Sequence, residues 1–104
     1  MANKVTMHFK NDRIDRAVYI AETVGFGEVF KTAVYPTQDI QITDTGVIIV
    51  VNHRGAIITT YIARVNQILE IYKTQEWGNA PQWLLSKANK NWKKGYTKNQ
   101  PDYN

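Results

Sequence analysis

Cysteine is absent from this chain. That excludes disulfides, thiolate metal sites and cysteine nucleophiles, and it removes any need for an oxidising compartment. Serine occurs only at Ser86, inside a helical pattern and outside the strand–turn–helix setting of a nucleophile elbow, so a hydrolase triad of that kind is set aside. The two histidines, His8 and His53, fall on separate elements, and neither an HExxH pattern nor an acidic calcium loop accompanies them. No metal site and no cofactor are expected. The glycines of Gly25-Phe26-Gly27 follow a helical pattern, not a strand, and there is no GxxxxGK[ST] phosphate loop. No apolar run approaches the roughly 20 residues that span a bilayer. The opening MANKVTMHFKND lacks the apolar stretch of a signal peptide. The expectation is a cytoplasmic protein without membrane contact.

What is present is enough for one domain: 104 residues can bury a single core without staples. The charge is unevenly placed. Residues 1–76 carry eight basic and eight acidic side chains and balance to zero. Residues 77–104 carry Lys87, Lys90, Lys93, Lys94 and Lys98 against Asp102, which accounts for the whole net charge of +4. A basic end on a neutral body is an electrostatic footprint for polyanions.

The hydrophobic pattern predicts the elements in turn. Residues 4–9 alternate, with Val5, Met7 and Phe9 on one side, and read as a short strand. Residues 12–24 read as an amphipathic helix, capped by Asn11 or Asp12 and closed by Gly25. Strands are expected at 28–35, 39–43, 47–51 and 56–63. The last two are apolar on both faces, as in a central pair covered by helices. Between them, Asn52-His53-Arg54-Gly55 has the composition of a hairpin turn. Helices follow at 64–73 and from Pro81 to about 94, the second with Leu84, Leu85, Ala88 and Trp92 on its apolar side. The order β-α-β-β-β-β-α-α predicts a single α+β domain over 1–104. Its antiparallel sheet has four to five strands and carries helices on one face, and residues 96–104 form a loose polar tail.

Around the sheet lies a polar set: His8, Arg13, Arg16, His53, Arg54, Thr59, Thr60, Tyr61 and Arg64. Metal-free RNA cleavage needs a base for the 2′-hydroxyl, an acid for the leaving oxygen, and cations or donors for the phosphorane. Histidine serves near neutral pH, arginine grips phosphate bidentately, and threonine and tyrosine hydroxyls donate. By strand alternation Thr59 and Tyr61 share a face, while Thr60 points the other way. Taken singly, each of these residues also fits an ordinary strand, hairpin-tip or helix-surface position.

The layout of an N-terminal histidine, a helix bearing arginines, and a sheet ending in GVIIVV…AIITTY resembles the RelE, barnase and colicin-type ribonuclease superfamily. It is closer still to a bacterial and phage branch of it. The resemblance covers about residues 4–63 and implies His8, Arg13, Arg16, Thr59 and Tyr61 as the catalytic set. The neutral body and the basic last helix with Trp83 and Trp92 depart from the family pattern. The functional expectation is a small accessory protein that binds RNA and cleaves it without metal, or binds without cutting. Arg54, Arg64, Lys87, Lys90, Lys93 and Lys94 would bind phosphates. The alternative is a non-enzymatic module for a host or phage protein, or an oligomer formed through Trp83, Leu84 and Trp92. A duplex-DNA reader is the weakest reading, because no helix-turn-helix pattern is present.

Overall fold

The computed structural model describes residues 15–98 and Gln100. The expected strand at 4–9 and the start of the first helix lie outside the described residues, as do His8 and Arg13. The described part opens with helical residues 15–23 (α1). Four strands follow: β1 (Val29–Val34), β2 (Asp39–Thr43), β3 (Val47–Val51) and β4 (Ile57–Ile62). Two helices close it, α2 (Val65–Thr74) and α3 (Gln82–Lys93). The strands form one antiparallel meander in the order β1-β2-β3-β4.

Two of the three hairpins show the local chemistry that sets them. Between β3 and β4, the Asn52 side-chain oxygen accepts from the backbone N–H groups of Arg54 (2.9 Å) and Ala56 (3.0 Å), and Gly55 takes a φ of 88°. This Asn-led turn needs a residue that tolerates the left-handed region, and Gly55 supplies it. Between β2 and β3, Gly46 does the same at φ 85°.

The register sorts the apolar side chains. Ile48 faces Ile42 on one neighbour and Tyr61 on the other, while Val47 faces Ile62. Ile42, Ile48, Val50 and Tyr61 form one core with Ile68, Ile71 and Tyr72 of α2 and Leu84 and Ala88 of α3. Val47 and Ile62 pack with Ile20 of α1 in a second cluster, bordered by Val24, Phe26 and Ile49. Successive strand residues point to opposite faces, so α1 covers one face of the sheet and α2 with α3 the other. The expectation of helices on one face is thereby corrected. The physical reason lies in β3, VIIVV, whose apolar side chains on both faces each need cover. Burying one such isoleucine contributes roughly 1.5–3 kcal/mol, so neither face is left wet.

Of the expected loose tail at 96–104, the described residues 96–98 and Gln100 lie against the domain. Thr97 is 2% exposed, and Tyr96 accepts a hydrogen bond at its carbonyl from the Tyr19 hydroxyl (3.2 Å). The Gln100 side-chain amide pairs with the backbone of Ile62, accepting from its N–H (2.7 Å) and donating to its carbonyl (2.9 Å). Arg64 completes the strap by donating to the carbonyls of Thr97 (3.1 Å) and Gln100 (3.4 Å).

Candidate nucleic-acid interface

The sequence of α3 divides its surface. At 3.6 residues per turn, Leu84, Ala88 and Asn91 fall on one side, and all three are buried. Trp83, Lys87, Lys90 and Lys94 follow the i, i+4, i+7, i+11 spacing and form a row along another side. Asn91 fixes the helix against the sheet by donating from its side-chain nitrogen to the Thr45 carbonyl (3.2 Å). Gly46 permits that approach. A Cβ there would lie 3.2 Å from the Asn91 amide nitrogen and 3.5 Å from Cγ of Lys87, at a φ that already excludes most side chains.

Among the described residues, none of Lys87, Lys90, Lys93, Lys94 and Lys98 forms an ion pair. Lys94 Nζ lies 5.9 Å from the centre of the Tyr96 ring. At the other end of the row, Trp83 meets Phe30 of β1 with ring centroids 5.1 Å apart and planes inclined at 57°. Both rings remain open to solvent, Trp83 by 48% and Phe30 by 37%. Phe30 reaches the surface because the β1–β2 register shifts between Val29 and Lys31. Such a bulge takes the extra residue out of the alternation. The sequence carries no signal for it, so pattern reading missed Phe30.

Of the residues implied as catalytic, Arg16, Thr59 and Tyr61 are described. His8 and Arg13 lie outside the described residues. Arg16 of α1 donates to the Thr59 hydroxyl at 3.4 Å, a long hydrogen bond that joins two of the set. Thr59 lines an apolar groove of about 390 Å³ with Ala17, Phe26 and Ile57. Tyr61 is 5% exposed and lines a different cleft, of about 570 Å³, with Tyr35, Gln67 and Glu70 under α2. Thr59 and Tyr61 therefore open into separate cavities.

His53 sits on the β3–β4 hairpin, where its Nε2 is 3.1 Å from the Tyr35 carbonyl and 3.4 Å from Asp39 Oδ1. It clamps that hairpin to the β1–β2 turn. Arg54 beside it is exposed. Arg64 is half-buried and directs its guanidinium into the strap. Leu84, expected as a possible contact for a second subunit, is 0% exposed and belongs to the protein's own core, which corrects that expectation. Trp92 is 60% exposed.

Among the described residues, no group of three or more histidine or acidic side chains is arranged to hold a metal ion. None of their helices is long and apolar enough to cross a membrane. No protein-family model, no curated protein and no solved structure matches this chain.

Proposed function

We propose that this protein binds RNA through the outer face of α3, as a small cytoplasmic accessory protein of the RelE and barnase-like kind from a bacterium or phage. The observation that carries the reading is the set of α3 lysines without ion pairs, beside a half-exposed tryptophan. Free ammonium groups attract phosphates and release counterions, which gives affinity without sequence choice. Cleavage would require His8 to move a proton, with Arg13 and Arg16 balancing phosphorane charge and the Thr59 and Tyr61 hydroxyls donating. Among the described residues the Arg16–Thr59 contact supports that step, and the α3 lysines put binding ahead of catalysis. The exposure of Trp92 favours a second reading, in which that side of α3 anchors a host or phage protein.

The test is a titration with total RNA at low and moderate salt, run in EDTA with the products examined on a gel. Four lysine–phosphate contacts predict an affinity loss of about 50-fold between about 50 and 200 mM salt. Metal-independent cleavage that disappears in His8→Ala would establish the enzyme. Salt-sensitive binding without cleavage leaves a binding protein. Absence of both rejects the RNA reading in favour of the protein partner.

A further inference from the structure

We propose that α3 takes its polynucleotide as a single strand, with Lys87, Lys90 and Lys94 on successive phosphates and one unstacked base against the Trp83–Phe30 ring pair. This rests on the RNA-binding reading above and narrows it to a substrate class.

The lysines alone do not distinguish a single strand from a duplex, since both present phosphates. The rings do. In a duplex the base faces are covered by neighbouring bases, and an aromatic ledge beside the backbone has nothing to stack on. In a single strand each base offers a free face, and cationic grooves with interleaved aromatics are the recurrent solution. Trp83 is aligned with the lysine row, and its neighbour Leu84, one helical step away, is 0% exposed. The helix thus supplies its core contact through Leu84 and leaves nearly half of Trp83 in solvent, 48%. Phe30 holds the indole from one side at 5.1 Å and adds a second open ring, which steadies the ledge before any base arrives. Trp92 provides a built-in contrast. It is nine positions further along α3 and so projects from the opposite side of the helix, away from the lysine row.

Fluorescence anisotropy with an oligouridylate, an oligothymidylate of equal length and a duplex of that length tests the proposal. Wild-type protein should bind both single strands more tightly than the duplex. Trp83→Ala should weaken single-strand binding about five- to a hundredfold, with the salt slope and the duplex affinity unchanged. Trp83→Leu, which fills space without a stackable face, should show the same loss and guards against a folding defect in the alanine variant. Trp83→Phe should recover most of the loss, and Trp92→Ala should lose nothing. Tighter binding of the ribose strand would add recognition of the 2′-hydroxyl to the stacked strand; equal binding would assign recognition to phosphates and base faces alone. If folded Trp83→Leu binds single strands as wild type does, the stacking proposal fails and the RNA reading stands. If wild-type protein binds none of the three probes, both fail.

Discussion

Helices α2 and α3 share one core, to which α2 gives Ile68, Ile71 and Tyr72 and α3 gives Leu84 and Ala88. They also stop in the same way. In α2 the Trp77 N–H reaches the Tyr72 carbonyl and the Glu76 N–H the Lys73 carbonyl; in α3 Tyr96 reaches Asn91 and Gly95 reaches Trp92. Both are Schellman ends, and the Tyr72–Trp77 ring contact supplies the accompanying apolar contact in α2. Their outer faces differ. α2 shows a mixed surface with Asn66, Glu70 and Lys73, whereas α3 shows lysines and no acid. The mixed surface of α2 shows that a helix on this core need not carry charge of one sign. Like charges three and four residues apart cost about 0.2–0.5 kcal/mol per pair. The row includes Lys87–Lys90 and Lys90–Lys94 at those spacings. The position of Lys90 and Lys93 in the last turn offsets part of this through the helix dipole. A surface that accepts repulsion is what a polyanion partner would account for.

The largest effect comes from breaking what the two helices share. Leu84→Ala should destabilise the protein by about 2–5 kcal/mol, and Ile68→Ala by a similar amount, measured by denaturant unfolding. Trp83→Leu should cost far less than Leu84→Ala, about 0.5–1.5 kcal/mol for the lost ring contact with Phe30. Next comes alkaline pH, which separates the helices because Tyr72 belongs to α2. Burial raises the Tyr72 phenol above its ordinary value. The folded state therefore keeps this proton where the unfolded chain loses it. Stability is full below the ordinary tyrosine range, near pH 10, and falls as pH rises through it toward the raised value. Tyr72→Phe should flatten that decline in a pH series of thermal melts. The smallest effect lies at the helix ends. Glu76 holds φ 56° where α3 uses Gly95 at φ 81°. Glu76→Gly should stabilise by about 0.5–1 kcal/mol and Gly95→Ala should destabilise by about 1 kcal/mol. Equal responses at the two ends would break the comparison.

Much of this fold was legible. The strand expected at 39–43 coincides with β2 and that at 47–51 with β3, and the other described strands and both later helices agree within a residue or two at their ends. Alternation and the 3.6-residue period reflect which side chains meet water, and these elements obey them. Other features have no period. The cover on both faces follows from how a both-sided apolar strand is packed, and periodicity shows only that cover is needed. The bulge that exposes Phe30 breaks the pattern it would have to be read from. Arg64 and Gln100 act by hydrogen bonds to backbone groups far along the chain, a use of polar side chains invisible to composition. At the interface, the lysines were legible as charge. Leu84 was legible as part of the apolar side of α3 and the row with Trp83 follows from spacing, whereas the contact of Trp83 with Phe30 came only with the structure.

The Gln100 amide has a consequence beyond fastening the strap. A primary amide carries the same donor and acceptor as a peptide group, so at Ile62 this side chain imitates one residue of an adjoining strand. Unpaired strand margins are templates for other molecules. By filling that place, Gln100 acts as a chain terminator for the sheet: a strand from a neighbouring molecule finds the Ile62 groups already matched. The last described residue thereby serves as a stopper at one position of the β4 margin, the backbone groups of Ile62.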